Sequence, residues 1–156
     1  MSEQGSQVEA VPALEWGDSL SVSVRQIDEQ HKRLVEAINE LNSKLRAGSS
    51  QEELTRTIEG IVYLASDNMR LEEEMMQEFH FPGFKAHLLR HAEVAGTLHR
   101  LRALSEQVGF VLTPEVPAIL MNCLSSHIRD VDKLFAIRLR DFRLRYSAWL
   151  NAKAMR

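Results

Sequence analysis

The residues best suited to chemistry in this chain are its six histidines, His31, His80, His87, His91, His99 and His127, and the carboxylates near some of them. His87 and His91 stand four residues apart. On a helix that spacing puts both imidazoles on one face, one turn apart, where they can give two nitrogen ligands to one metal. Histidine pairs also occur at this spacing with no metal, so the pair decides nothing alone. Glu72 opens the run Glu72-Glu73-Glu74, in which at least two side chains are expected to be solvated charges. Counted from Leu64, Leu71 and Met75, Glu72 falls at the edge of an apolar stripe. His31 sits among Ile27, Leu34 and Ile38. His127 lies beside Ile128 and three residues after Leu124, with Asp130 and Asp132 following it. An inward imidazole or carboxylate on each of four helices is the recipe for a carboxylate-bridged metal site, and such ligands suit iron. Burying these groups without partners would cost roughly several kcal/mol each.

Other chemistries have little support. There is no glycine-rich phosphate loop and no G-x-S-x-G motif. Cys123 is the single cysteine, which excludes a disulfide framework, a zinc ribbon or a cysteine-held iron–sulfur cluster. Its apolar helical surroundings predict a buried, inert thiol. His99 reads as a surface helix residue, His80 as a loop residue, and Met69, Met75 and Met76 as core filler.

The elements that must position these groups are helical. Leu, Glu, Ala, Arg and Met dominate the long stretches, against seven Gly and four Pro. Residues 1–20 read as an arm, polar to about Ala10, with Trp16 sealing one end of the body. Ile27, Leu34, Ile38, Leu41 and Leu45 keep helical spacing from about Val24 to Ala47, and Gly48 supplies the stop. Ser50 with Glu53 forms a capping-box pair opening a second helix, which runs to about Phe79. His80-Phe81-Pro82-Gly83 breaks it. A third helix is expected from Phe84 to Val108. Thr113-Pro114 opens a fourth as N-cap and first-turn proline, with Leu120, Leu124, Ile128, Val131, Leu134 and Phe135 as its apolar stripe. Short connections between long helices predict an all-α, antiparallel up-down-up-down four-helix bundle. The expected organisation is an arm at 1–20, the bundle at 21–140 and a basic helical extension at 141–156.

Composition bounds the rest. The 156 residues fit one domain, and 44% hydrophobic with 26% charged residues suffices for a core. A net charge of −3 argues against a nucleic-acid binder. No apolar run approaches the ~18 residues of a membrane span. The N-terminus lacks a secretory signal pattern, so a cytoplasmic protein is expected. Between Arg129 and Arg156, eight basic residues face three acids, interleaved with Phe142, Tyr146 and Trp149. That tail is either a solvated extension of the last helix or a docking surface for a protein partner or a membrane.

At this point the chain resembles the bacterial hemerythrin family, over about Trp16 to Leu139. Ile27-Asp28-Glu29-Gln30-His31-Lys32-Arg33-Leu34 is similar to that family's first-helix signature. The Phe81-Pro82 break before His87 and His91 resembles its third-helix pair, and His127-Ile128 with Asp132 its fourth-helix motif. Glu72 aligns with the carboxylate bridging two irons. The resemblance implies a metal set of His31, Glu72, His87, His91, His127 and Asp132, holding two non-haem irons joined by a bridging oxo or hydroxo. His87, His91 and His127 would hold one iron, and His31 with the bridging carboxylates the other. Helical geometry alone pairs His127 with Asp130, because five residues carry Asp132 roughly 140° round an α-helix. The family pattern selects Asp132. One departure stands out: where the family has His-Phe, four residues before the bridging glutamate, this chain reads Asn68-Met69. Asn68 is then a weak or vestigial metal position, since an amide oxygen binds iron less well than imidazole.

The resemblance implies O2, or a related diatomic or peroxide, as ligand. The alternatives are an enzyme turning over peroxide or nitric oxide at the more open iron, a redox or oxygen sensor, and a degenerate scaffold. Enzymatic activity stays open, and the chain's length weakens a sensor acting through a fused domain.

Overall fold

The computed structural model describes residues 13–154, with side chains to residue 145. Val11 of the arm and the side chains of Tyr146, Trp149, Lys153 and Arg156 lie outside the described residues. Among the described residues there are helices and no strands: α1 (Arg25–Arg46), α2 (Gln51–Glu78), α3 (Phe84–Ser105), α4 (Glu115–His127) and α5 (Lys133–Ala154). A single π-helical turn, Ile128–Asp132, joins α4 to α5, so the two form one interrupted rod. The result is the expected all-α four-helix bundle.

Local chemistry sets most boundaries. Gly48, at a φ of 71°, terminates α1 in the left-handed conformation that favours glycine. The Ser50 hydroxyl accepts from the Glu53 amide while the Glu53 carboxylate accepts from the Ser50 amide, so α2 opens on a complete capping box. The end of α3 comes three residues before the sequence predicts. The Ser105 carbonyl is captured there by Gln51 Nε2 at 2.8 Å and Thr55 Oγ1 at 2.9 Å, two side chains of α2. α4 begins at Glu115, after Pro114 rather than Thr113, with no capping side chain.

Each helix reads apolar, polar, apolar along its inner face. One apolar cluster gathers Val24, Ile27, Met75, Met76, Ile128, Phe135 and Leu139, and a second gathers Leu34, Ile38, Ile58, Ile61, Leu98 and Leu120. His31 lies between Ile27 and Leu34, Glu72 between Ala65 and Met75, and His127 beside Ile128. Burial of side chains such as Phe135 and Ile61 stabilises by about 1.5–3 kcal/mol each. Two dry layers therefore enclose one polar layer.

The π-turn also rephases the last rod. Sequence periodicity places both Leu134 and Phe135 in the buried stripe, yet Phe135 is fully buried and Leu134 is 62% exposed. An extra residue in the turn rotates everything after it. The described part of the arm runs beside α1. Leu14 exchanges two hydrogen bonds with the Asn39 amide, at 3.2 and 2.9 Å, and Asp28 accepts from the Ser21 hydroxyl and the Val22 amide. Trp16 packs on the Ile27–Phe135 cluster and also sits against His31, with ring centroids 6.3 Å apart. No helix among the described residues is long and apolar enough to cross a membrane.

Candidate metal centre

α1 carries His31 into the polar layer, α2 carries Glu72, α3 carries His87 and His91, and the α4–α5 rod carries His127 and Asp132. His31, Glu72 and Asp132 have no exposed surface, and His87 and His91 are 3% exposed. All six converge. Ligand atoms of Glu72, His87, His91, His127 and Asp132 lie within 4.8 Å of one another. His31 stands just outside that group but touches both carboxylates.

The two carboxylates divide their oxygens between two sides. Glu72 Oε1 lies 3.5 Å from His31 Nε2, whereas Glu72 Oε2 lies 3.1 Å from His87 Nε2 and 3.3 Å from His91 Nε2. Asp132 repeats the pattern. Its Oδ2 is 3.3 Å from His31 Nε2, and its Oδ1 is 3.2 Å from His87 Nε2 and 3.0 Å from His127 Nε2.

The π-turn makes the last contact possible. In an α-helix His127 and Asp132 would point about 140° apart. In a π-turn the backbone hydrogen bonds span five residues, so residues five apart come into register. Asp130 is exposed, outside the cluster. The residue that simple helical spacing favours is therefore the wrong one.

The electrostatics are those of opposed imidazoles and carboxylates packed into one buried cage. Burial disfavours the His31 cation, but the close carboxylates of Asp132 and Glu72 outweigh it and raise His31 to about 9. His87 is raised to about 9 by the same balance. Burial and the neighbouring Asp132 charge push Glu72 up, yet contacts from His31, His87 and His91 prevail and lower it to about 2. Asp132, despite its burial, is held well below the usual carboxylate range by His127, His31 and His87.

Even so, many polar atoms here stay unsatisfied. Both nitrogens of His31, Glu72 Oε1, His91 Nε2 and both oxygens of Asp132 are buried without a hydrogen bond. Orphaned buried atoms of this kind are costly, and cations held between Glu72, Asp132 and the Nε2 atoms of His31 and His91 would satisfy all of them except His31 Nδ1. The donor set, imidazole nitrogen with carboxylate oxygen, fits iron, and zinc shares the preference.

The sequence reading missed Glu73. Its Oε1 lies 2.8 Å from His91 Nδ1, which leaves His91 Nε2 for the cage. The i,i+1 relation to Glu72 hid it, because neighbouring helical residues usually face different ways. Asn68 is buried one turn before Glu72 but lies outside the converging group, hydrogen-bonded to Gln30. His80 and His99 are exposed, as predicted. Cys123 corrects its prediction. It is free and exposed, although partial burial still pushes its thiol up and keeps it protonated.

Residues 22–139 match the hemerythrin HHE cation binding domain. The chain belongs to the hemerythrin family. Among its relatives, a bacteriohemerythrin of Stenotrophomonas maltophilia is 28% identical over 127 residues, covering 81% of this chain and 82% of that protein. One of Pseudomonas aeruginosa is 29% identical over 119 residues, 76% of each chain. A myohemerythrin of Theromyzon tessulatum is 25% identical over 118 residues, 76% of this chain and 87% of that one. A crystal structure of wild-type hemerythrin superposes with a TM-score of 0.77 at 22% identity, covering 82% of this chain and 98% of that one. In this hemerythrin-family chain the cation-binding description and the orphaned cage agree.

Proposed function

We propose that the chain is a non-haem di-iron protein that binds O2, or a related small ligand, in the bundle core. The observation that carries this reading is the division of oxygens. Glu72 and Asp132 each give one oxygen to the His31 side and the other to the side of His87, His91 and His127. Two metal positions bridged by two carboxylates need that arrangement, and a single position would not leave His31 apart. His87, His91 and His127 would hold one iron. His31 would hold the other, with Asn68 a weak or vestigial fourth group.

Ferrous ions held by these residues would supply the electrons and ligand-accepting character that O2 binding needs. The protein's own residues set the ligand count, orient His91 and keep water out. Glu73 fixes His91, and Trp16 covers His31. The Ile27–Phe135 cluster and the Leu34–Leu120 cluster exclude solvent on either side.

The test is iron stoichiometry with optical spectroscopy. The protein is purified without oxygen, assayed for iron per chain, then exposed to air. Two irons and a new charge-transfer band support the reading, and one metal or zinc with no band refutes it. The few ligands near His31 favour a second reading, turnover of peroxide or nitric oxide, which consumption of either by the iron-loaded protein would reveal.

A further inference from the structure

Asn68 is 5% exposed and lines an apolar cavity of about 120 Å³ that also reaches His127. Leu34, Ile61, Leu98 and Leu124 form part of its wall. The cavity opens to the surface where Ile119 and Cys123 line it. Asn68 is not free to turn within this wall. Its Nδ2 donates to Gln30 Oε1 at 3.2 Å, and Gln30 Nε2 donates to Asp67 Oδ2 at 3.0 Å. Arg70 anchors the far end, donating to Asp67 Oδ1 at 2.8 Å.

The polarity of this chain of contacts is forced. An ionised carboxylate only accepts, so Asp67 must face the amino group of Gln30. Gln30 then turns its carbonyl to Asn68, and Asn68 must answer with its amino group. The Asn68 carbonyl oxygen is left over, with no hydrogen bond among the described residues, on a side chain that lines a largely hydrocarbon-walled space. An unmet acceptor in such a place favours whatever brings it a donor.

We propose that Gln30 and Asp67 are positioning residues that hold the Asn68 carbonyl oxygen toward the cavity. The cavity then takes a small molecule with an apolar body and one hydrogen-bond donor, in preference to one that only accepts. This rests on hydrogen-bond polarity and not on the metal reading of the neighbouring cage.

The test compares propan-2-ol with acetone, which share a heavy-atom skeleton and differ in the donor. Each is titrated into the full chain while the side-chain amide resonances of Asn68 and Gln30 are followed by NMR. The chain is measured both metal-free and zinc-loaded, so failure of metal to bind leaves the metal-free titration standing. The parent should bind propan-2-ol roughly three- to tenfold more tightly than acetone, the weight of one neutral hydrogen bond. Asn68→Leu should abolish the preference, and Gln30→Met, which lets the amide turn, should shrink it. The double variant Gln30→Glu with Asp67→Asn keeps an acceptor facing Asn68 and should restore it, which a merely structural role would not do. Equal affinities in the parent, no movement of the Asn68 resonances at saturation, or an unchanged preference in Gln30→Met would each overturn the proposal.

Discussion

His127 Nε2 lies 3.0 Å from Asp132 Oδ1 although the two residues are five apart in one rod. The π-turn at Ile128–Asp132 is the cause, and such turns recur where function demands an unusual register. Asp130, the partner an unbroken α-helix would offer, lies outside the cluster. Replacing Asp132 by Ala should therefore remove most of the bound metal, while Asp130→Ala should leave metal per chain unchanged. Elemental analysis of both purified variants checks this, and equal losses would refute it.

Glu73 reaches His91 from outside the cage, at 2.8 Å from Nδ1. A carboxylate there fixes the ring's orientation and makes Nε2 a better donor to metal. Glu73→Ala is expected to weaken metal binding by about 10- to 100-fold without abolishing it. Glu73→Gln, which can still accept from Nδ1, should lose less. Competition against a chelator of known affinity measures both, and an unchanged affinity for Glu73→Ala would sink the idea.

The buried imidazoles link metal, protons and stability. His31 and His87 are raised from an ordinary 6.5 to about 9. In the metal-free chain the stability they contribute is fully present below about 6.5 and is lost as pH rises toward 9. Glu72 and Asp132 are depressed, so their contribution is present above about 4.5 and is lost as pH falls toward 2 and below. Urea midpoints of the metal-free chain should peak between those limits, and a midpoint still rising from pH 7 to 9 would contradict this.

Metal demands the opposite protonation. A ligating imidazole needs its lone pair, so loading at pH 7.5 should expel protons from His31 and His87, and affinity should rise from pH 6.5 to 9. An indicator dye in weak buffer reads the release. Loading should also raise the melting temperature, because a metal that binds the folded cage would satisfy the orphaned oxygens of Glu72 and Asp132. Loading without proton release would mean that these two residues are not ligands.

Much of this was legible in the sequence, for a physical reason. Helix spacing, the Ser50–Glu53 box and Gly48 act locally, so the rods and their order follow from periodicity and capping. The convergence of His31, Glu72, His87, His91 and His127 follows from the same inward stripes. What escaped depends on contacts between distant elements or on a change of helical pitch. The end of α3 is set by Gln51 and Thr55 across the bundle. Glu73 acquires its partner from α3. The exposure of Leu134 and the inward turn of Asp132 both come from one extra residue in the π-turn, which no regular period encodes.

Asn68 is the last and sharpest point of difference. On the side of Glu72 and Asp132 that faces His31, one imidazole stands where the other side has three. Asn68 is one turn from Glu72 on the same buried face, but its amide is engaged by Gln30. A carboxamide oxygen is a weakly basic donor, whereas imidazole offers a strong lone pair. Two metal ions should therefore bind with unequal affinity, and the weaker should be the one beside His31. A metal held there with one donor fewer would admit water or a second ligand, so any O2-dependent absorption band should be short-lived and the protein should purify oxidised or partly metal-depleted. Asn68→His supplies the missing donor, and the adjoining cavity of about 120 Å³ gives the ring space. The variant is expected to bring the second affinity toward the first and to lengthen the life of the band. Stepwise metal titration and stopped-flow absorbance after mixing with O2 measure the two effects. A parent that already holds two irons equally tightly, with a band as persistent as that of Asn68→His, would show that Asn68 leaves the site's chemistry unchanged.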